Sequence, residues 1–308
     1  MTCDFNRILA DLNWSKQPKR LYEPIGYALS AGGKRVRPQL CLLGAAAVGG
    51  EQVVMDNVLP AALALEIFHN FTLLHDDVMD KAQVRRGRPC VHIRWDENTA
   101  ILSGDQMLIE AYKMLSGVPA DKLAECLRLF NEMATGICEG QQLDMDFETR
   151  EDVTLDDYRE MIRLKTAVLL ATALRIGAYI AGADAAMQQT LYEIGIHIGI
   201  AFQIEDDLLD CYGDEKTFGK AIGGDIREGK KTFMLLKAEQ LKGGHIAVKG
   251  QPLEDVLALY DSLHVKEVAI AAIHKETAAA IAKLHQLPDT AARQTLIEMA
   301  NKLQQRIQ

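Results

Sequence analysis

The stretch from Pro119 to Pro252 contains no internal proline, and this absence permits long helices because proline breaks them. Alanine, leucine, isoleucine, glutamate and lysine dominate the whole chain, and alternating strand-like runs are hard to find. The sequence therefore predicts an all-α protein, with helices that start after Thr154 and after Asp289. Apolar residues recur at helical spacing, for example at Leu123, Cys126, Leu127 and Phe130.

The composition limits the kind of protein that these helices can form. The chain has 308 residues, of which 48% are hydrophobic, so it can bury a large core. It contains no Pro/Ser-rich linker or low-complexity tract that would mark a boundary, and we expect a single domain over residues 1–308. The formal net charge of -9 argues against binding to nucleic acid, which requires a basic surface, and against attachment to anionic lipid.

The sequence gives only weak indications of a membrane-spanning helix or of a signal peptide for secretion. The longest apolar run, Thr166 to Ala183, carries Arg175 near its middle and is barely long enough to span a bilayer. We expect this run to form a buried helix, with no stable membrane insertion. The N-terminal residues lack the basic-then-apolar pattern of a signal peptide, and the cysteines form no C-x-x-C pair. Both features favour reduced thiols and a cytoplasmic location.

Two acidic pentads of the form D-D-x-x-D stand far apart in the chain, as "DDVMD" at residues 76–80 and "DDLLD" at residues 206–210. On a helix the outer aspartates lie on one face, about 6 Å apart along the axis, whereas the middle aspartate is rotated by about 100°. Like charges at this spacing destabilise a bare helix by a few tenths of a kcal/mol. One pentad alone is often a solvated acidic face, but two pentads favour a bound counter-ion.

Paired carboxylates suit Mg²⁺, which binds through a few carboxylates together with substrate phosphates. An EF-hand is excluded, because the sequence has no D-x-D-x-D-G loop. Arginine and lysine side chains are the usual partners of a diphosphate, so the acids and bases together predict a site for a metal and a diphosphate. The basic segments are "GGKRVRP" (32–38), "RRGRP" (85–89), "RLKT" (163–166), and Lys220 and Lys230 in a glycine-rich stretch, Tyr212 to Thr232, that we expect to be irregular.

These segments closely resemble the motifs of the trans-isoprenyl diphosphate synthases, the head-to-tail prenyltransferases that make farnesyl, geranylgeranyl and longer diphosphates. The motifs occur in the family's order from residue 32 to residue 232. They are "GGKRVRP", "HNFTLLHDDVMD", "RRGRP", "GQQLDMDFE", "RLKTA", "FQIEDDLLDCYGDEKTFGKAIGGDI" and "GKKT".

The resemblance implies the isoprenoid synthase type I fold, a bundle of long antiparallel helices around a deep central cavity that assembles as a homodimer. It also implies Mg²⁺-dependent condensation of isopentenyl diphosphate with an allylic diphosphate: dimethylallyl, geranyl or farnesyl diphosphate.

The resemblance further implies a role for individual residues. Three Mg²⁺ ions are expected to bridge the diphosphate and the outer aspartates, which are Asp76, Asp80, Asp206 and Asp210. Isopentenyl diphosphate is expected to contact Lys34, Arg37, His69 and Arg86. The allylic diphosphate is expected to contact Arg85, Lys165, Thr166, Gln203, Lys220 and Lys230. The residues expected to act in catalysis are Asp76, Asp80, Asp206, Lys165 and Lys220.

Residues upstream of Asp76 set the expected product length, because in this family the chain grows along that helix. Thr72 lies one turn before Asp76 on the same face and is small, so it leaves the channel open. Phe71 is turned aside by about 140° but is bulky enough to narrow the channel, and Phe68 lies about 12 Å deeper than Asp76. The alternative is that both phenylalanines only pack the core or a dimer interface.

In this family, paired aromatic residues four and five positions before the first pentad favour a C15 product. A two-residue insertion within the first pentad does the same. This chain has neither feature. The pattern therefore favours geranylgeranyl diphosphate (C20), with farnesyl diphosphate (C15) as the alternative and long chains least favoured.

Three other functions would use part of the pattern. A helical metal phosphohydrolase would use "HDD" at 75–77, but it needs further histidine motifs and leaves the second pentad unused. A class I terpene cyclase shares the first pentad, but its second metal motif mixes Asn, Ser or Thr with Glu. A non-catalytic subunit of a heteromeric synthase commonly loses one aspartate motif, whereas both are complete here.

Overall fold

The computed structural model describes residues 5–49, 51–213 and 222–305, and most of these residues are helical. A π-helical turn is present at Arg163–Ala167. The prediction of an all-α protein is confirmed. The helices, numbered in chain order, are α1 (Phe5–Asp11), α2 (Lys19–Leu29), α3 (Val36–Gly49), α4 (Glu51–Met79), α5 (Val91–Arg94), α6 (Glu97–Leu115), α7 (Ala120–Phe147), α8 (Leu155–Ile162), α9 (Val168–Ile180), α10 (Ala185–Tyr212), α11 (Gly224–Glu228), α12 (Phe233–Lys242), α13 (Leu253–Ser262), α14 (Val265–Leu284) and α15 (Ala291–Gln305).

A small hairpin is the strand structure found in the described ranges. Strand β1 (Val84–Arg85) pairs antiparallel with β2 (Arg88–Pro89). Between them, Arg86 has φ 52° and Gly87 has φ 72°, so both turn residues are left-handed. Two left-handed residues are typical of the tight type I′ turn, which matches the twist of paired strands. The hairpin follows α4 directly and therefore places its arginines just after the first pentad.

The chain divides into two compact units, and each is described by itself. Unit 1 comprises Met1–Arg128 and Ala173–Asp184, and unit 2 comprises Leu129–Thr172 and Ala185–Gln308. The division falls within α7 and within α9. The expectation of a single domain over residues 1–308 stays a prediction.

Helix α4 forms the centre of unit 1, where it packs against α3 and α6. Its residues Asn57–Met79 are long and apolar enough to cross a membrane, but 67% of the most apolar window is buried inside the protein, as in a core helix. The apolar run that begins at Thr166 forms α9, whose side chains at Leu169 and Leu170 are each 3% exposed. The expected buried helix is therefore confirmed, and the absence of membrane insertion stays a prediction.

A buried ion pair fixes the turn that precedes α3. Arg35 donates to Glu66 at 2.6 Å, and the two side chains are 4% and 2% exposed. Arg35 also donates to the Leu29 carbonyl, and Asn70 donates to Glu66 at 3.0 Å, so the buried groups have several partners. Removing one member of such a pair leaves an uncompensated buried charge and costs about 3–5 kcal/mol. The pair thus holds the "GGKRVRP" segment against α4.

Helix α10 forms the centre of unit 2 and packs most extensively against α14. The helix predicted after Thr154 is confirmed, because Thr154 and Asp157 form a reciprocal capping box at the start of α8. The helix predicted after Asp289 begins one position later than expected. Thr290, not Asp289, accepts the capping hydrogen bond from the Arg293 N–H at 3.1 Å.

The segment predicted as one irregular stretch from Tyr212 to Thr232 contains helix α11 at Gly224–Glu228. The side chain of Asp210 stabilises this helix, because its carboxylate oxygens accept hydrogen bonds from two backbone N–H groups of the first turn, at 3.2 and 3.0 Å. The prediction is therefore wrong for this part of the segment. Residues 214–221 lie outside the described residues.

Candidate active site

The first pentad lies at the end of α4 in unit 1. The Asp80 N–H donates to the Asp76 carbonyl at 2.8 Å, so the helical turn continues past the last residue of α4 and the outer aspartates are one turn apart. Asp76 is half-buried and Asp80 is exposed, whereas Asp77 is buried with 5% exposure. The three carboxylates of the pentad therefore have different environments, as the helical period predicts.

Asp77 is held by an arginine of the hairpin. The Arg85 guanidinium donates to Asp77 Oδ1 at 2.6 Å and lies 3.4 Å from Asp76 Oδ2. Burial raises the pKa of Asp77, and the charge and hydrogen bond of Arg85 oppose that rise. Arg85, predicted as a contact of the allylic diphosphate, thus spans the first two aspartates of the pentad. Asp77 supports the hairpin, and the outer aspartates remain better placed for a ligand.

A basic group surrounds His69 on the adjacent part of α4. His69 is 8% exposed, and burial, followed by the charges of Arg37 and Arg86, lowers its pKa well below the ordinary value. Its imidazole is therefore neutral at neutral pH. Burial also lowers the pKa of Arg37 to about 10, and the Arg37 Nε atom is buried without a hydrogen-bond partner among the described residues. Such a cationic group is suited to receive an anion.

The turn at Gly32 and Gly33 and the hairpin turn at Arg86 and Gly87 bring the two segments of this basic group together. Arg86 donates to the carbonyl of Gly32, and a Cβ added at Gly33 would lie 3.0 Å from the Arg86 guanidinium carbon. Gly33 has φ +127°, a conformation that side chains disfavour, so glycine is required here for two reasons. Lys34 is exposed in the same turn. Unit 1 therefore brings the "GGKRVRP" and "RRGRP" segments into contact, as the predicted isopentenyl diphosphate pocket requires.

The residues predicted to set product length lie on two faces of α4. Thr72 donates its hydroxyl to the His69 carbonyl at 2.8 Å, so its polar atom is satisfied within the helix. Phe68 is 1% exposed, and its ring centroid lies 5.5 Å from that of the half-buried Phe71. The two phenylalanines pack together, and their role in product length stays a prediction.

The second pentad lies near the end of α10 in unit 2. Asp206 is half-buried, whereas Asp207 and Asp210 are 3% and 7% exposed. Asp207 accepts hydrogen bonds from the Tyr158 hydroxyl at 2.6 Å and from the Phe233 N–H at 2.9 Å. Burial raises the pKa of Asp207, and these donors oppose the rise. As in the first pentad, the middle aspartate is buried and used to join elements, here α8, α10 and α12.

The hydrogen-bond chain continues from Asp207 to the π-helical turn. Gln203 donates to Asp207 at 3.1 Å, and Thr166 donates to Gln203 at 2.9 Å. Lys165, the neighbour of Thr166, pairs with Asp144 of α7 at 2.5 Å. Turns of the π type are frequent at functional sites, because they re-aim side chains within a helix. The structure thus groups three of the predicted allylic diphosphate contacts beside the second pentad.

Asp225 is an acid near the second pentad that the sequence reasoning missed. It lies on α11, whose first turn is capped by Asp210. Burial, followed by the charges of Asp210 and Asp207, raises its pKa well above the ordinary value, whereas Lys230 lowers it. Lys230 also pairs with Glu228 at 3.2 Å. The sequence did contain a signal for Asp225, because this residue belongs to the family-like motif that ends in "GKAIGGDI".

Tyr158 was also missed by the sequence reasoning. It lies seven positions before Lys165, a spacing that would place both on one face of an uninterrupted α-helix, although a π-helical turn intervenes here. That spacing was a signal, but nothing in the sequence joined Tyr158 to Asp207. Lys220, a predicted catalytic and binding residue, lies outside the described residues.

The arrangement of the predicted carboxylate ligands suits Mg²⁺ better than it suits a metal that is enclosed by protein ligands. Within the described ranges no group of three His, Cys, Asp or Glu side chains is arranged to hold a metal ion. Mg²⁺ requires no such group, because it uses one or two carboxylates together with waters and substrate phosphates. Asp76, Asp80 and Asp206 are the more accessible of the predicted ligands, whereas the Asp210 oxygens also accept the backbone N–H groups of α11.

Comparison with known proteins gives a consistent result. The family model described as polyprenyl synthetase matches residues 18–258. The geranylgeranyl diphosphate synthase of Methanosarcina mazei is 41% identical over 92% of this chain and 89% of its own length. The geranylfarnesyl diphosphate synthase of Natronomonas pharaonis is 38% identical over 94% of this chain and 91% of its own length.

A solved structure shows the same fold. A crystal structure of a geranylgeranyl pyrophosphate synthase superposes with a TM-score of 0.89 and 39% identity, and it covers 98% of this chain and 95% of that one. The predicted fold class is therefore confirmed.

Tyr158→Phe is expected to lower the free energy of unfolding by about 1.5–3 kcal/mol, because it removes a buried hydrogen bond to a carboxylate. Urea denaturation with constant m-value would measure the loss. Tyr212→Phe is a matched control, since the Tyr212 hydroxyl donates to the more exposed Asp261 at 2.7 Å. An equal loss in both variants, or no loss in Tyr158→Phe, would show that the Asp207 contact does not support the second pentad.

Proposed function

Because the chain belongs to the polyprenyl synthetase family, we propose that it is a Mg²⁺-dependent prenyltransferase that joins isopentenyl diphosphate to an allylic diphosphate, head to tail. One observation carries the proposal. In each pentad the middle aspartate is buried and satisfied by protein partners, at Asp77 by Arg85 and at Asp207 by Tyr158, and it is therefore not needed for a metal. Of the outer aspartates, Asp76, Asp80 and Asp206 are less buried than these middle members and are therefore better placed to bind cations.

The metal ligands in this proposal are the outer aspartates: Asp76, Asp80, Asp206 and Asp210. Bound Mg²⁺ supplies positive charge that neutralises the departing diphosphate as the allylic C–O bond breaks. Lys165 contributes a further positive charge in unit 2, where Asp144 orients it at 2.5 Å. Three ions are proposed from the family resemblance, and the outer aspartates would hold them together with the diphosphate.

The second substrate is held by the basic group of unit 1. Arg37 and Arg86 are suited to the diphosphate of isopentenyl diphosphate, and the Arg37 Nε has no protein partner in the described ranges. The neutral His69 adds a hydrogen-bonding group without adding charge. The allylic C–O bond ionises to a delocalised carbocation, and the double bond of the held substrate attacks that cation. A proton is then lost to the released diphosphate, which leaves a new allylic diphosphate that is one isoprene unit longer.

Product length follows from α4 in this proposal. The small Thr72 leaves the face of Asp76 open, whereas the rings of Phe71 and Phe68 pack together and limit the depth. This arrangement supports geranylgeranyl diphosphate (C20) as the main product, with farnesyl diphosphate (C15) as the alternative. One similar protein is named geranylfarnesyl diphosphate synthase, and that name denotes a product longer than C20. The assignment of C20 to this chain is therefore tested by direct product analysis.

A homodimer is proposed on the surface of α6. Ile101, Leu102 and Ile109 are 44%, 59% and 50% exposed, and their spacing places them along one side of the helix. Exposed apolar patches of this kind mark association surfaces. A monomer observed by analytical ultracentrifugation at micromolar concentration would contradict this proposal.

Asp76→Ala and Asp206→Ala are each expected to lower turnover by about 10²-fold or more, because charge stabilisation of this kind contributes several kcal/mol to the transition state. Removal of Mg²⁺ with a chelator is expected to abolish turnover. Both variants are expected to keep their thermal stability, since each removes repulsion within an acidic face. Release of diphosphate measures the rate, and near-wild-type turnover in either variant would contradict the two-pentad mechanism.

The main product from isopentenyl diphosphate and each allylic primer is expected to be C20, and Phe71→Ala is expected to lengthen it by removing a bulky ring. Chromatography of the dephosphorylated products measures both. Cyclic hydrocarbons formed without consumption of isopentenyl diphosphate would instead indicate a terpene cyclase. A dominant C15 product would contradict the C20 assignment, and an unchanged length in Phe71→Ala would show that the floor lies elsewhere.

A further inference from the structure

His75 lies between the first pentad and α6, and the condensation mechanism above does not use it. Its Nε2 atom lies 3.0 Å from the Ile101 carbonyl of α6, and the side chain is 20% exposed. A carbonyl oxygen only accepts, so Nε2 carries a proton and donates this bond. The acid Asp105 stands further off, at 3.9 Å from Nε2. His75 thus links α4 to α6 one residue before Asp76.

The contact between the two helices depends on a glycine. A Cβ added at Gly104 of α6 would lie 2.1 Å from His75 Nε2 and 2.4 Å from His75 Cδ2. Such distances are far below a van der Waals contact, so the imidazole occupies the space that any side chain at position 104 would require. The imidazole is therefore confined by α6 on one side.

Phe71 is a second neighbour of the imidazole. The ring centroids of Phe71 and His75 are 4.8 Å apart at an interplanar angle of 68°, an edge-to-face contact. Phe71 also contacts Phe68 at 5.5 Å. The three residues stand at positions i, i+3 and i+7 of α4, so they form one row along the helix. The row is anchored to α6 at the His75 end.

We propose that His75 is a positioning residue that sets product length by holding the ring of Phe71 in place between α6 and Phe68. The proposal rests on the proposed function, because it concerns the length of the prenyl chain. The ring of Phe71 contacts His75 and Phe68, and without the imidazole it would gain free space next to Gly104. The ring would turn into that space and deepen the channel.

The test is the product distribution of His75→Ala with isopentenyl diphosphate and farnesyl diphosphate as substrates. His75→Ala is expected to shift the main product to a chain longer by at least one isoprene unit, which is also the result expected of Phe71→Ala. The double variant is expected to give the same length as Phe71→Ala alone, because His75 acts through Phe71 and contacting residues are not additive. A loss of fold stability alone would not produce this pattern of lengths.

Two further variants accompany His75→Ala, one as a second test of the ring and one as a control. His75→Gln retains an amide that can donate to the Ile101 carbonyl but lacks a ring, so it is expected to lengthen the product even if His75→Ala folds poorly. Leu73→Ala is the matched control: it truncates α4 on the face that lines a pocket with Arg85 and Arg86, and it is expected to leave the length of the product unchanged even where it lowers the rate.

Each outcome bears on the proposal. Wild-type length in a folded His75→Ala or His75→Gln protein would overturn it, and so would a double variant that makes longer chains than Phe71→Ala. Lengthening by Leu73→Ala would also overturn it, because any loosening of α4 would then suffice. If the wild-type protein consumed no isopentenyl diphosphate, the proposed function itself would fail, and this result is distinct from all the others.

Discussion

A buried carboxylate must be paired or hydrogen-bonded, and this constraint shapes both acidic motifs. A helix cannot hold adjacent aspartates on one face, so the middle member of each pentad turns inward. Asp77 meets this demand with Arg85 of the hairpin at 2.6 Å, and Asp207 meets it with Tyr158 at 2.6 Å and the Phe233 N–H. The inward aspartates thereby join neighbouring elements, whereas Asp76, Asp80 and Asp206 are less buried and are better placed to bind cations.

The partners of Asp77 and Asp207 differ in charge, and this difference matters for substrate binding. In unit 1 the partner is a guanidinium, so positive charge collects beside the first pentad together with Arg37 and Arg86 around His69. In unit 2 the hydrogen-bond donors to Asp207 are neutral, and burial together with the nearby Asp210 and Asp207 raises the pKa of Asp225. The first motif is therefore partly neutralised by the protein, whereas the second depends more on bound cations.

The sequence was sufficient to predict the helical class and the position of each pentad near the end of a helix, because helical period and residue chemistry are local properties. It could not predict Tyr158 as the partner of Asp207, since that contact joins residues distant in the chain. The helix at Gly224–Glu228 was missed for a similar reason: glycine content suggested a loop, and the Asp210 cap that stabilises the helix lies fourteen positions earlier. Asp289 was mistaken for a cap because Thr290, its neighbour, also has a capping side chain.

The division of roles within a pentad is tested most directly by Asp206→Asn and Asp207→Asn, which make the same change at adjacent positions. Binding of Mn²⁺ in the presence of inorganic diphosphate, followed by electron paramagnetic resonance, is measured together with the free energy of unfolding. Asp206→Asn is expected to weaken Mn²⁺ binding and keep stability. Asp207→Asn is expected to keep Mn²⁺ binding in the folded protein and lose about 1–3 kcal/mol of stability, because its amide faces donors. The reverse pattern would contradict the account.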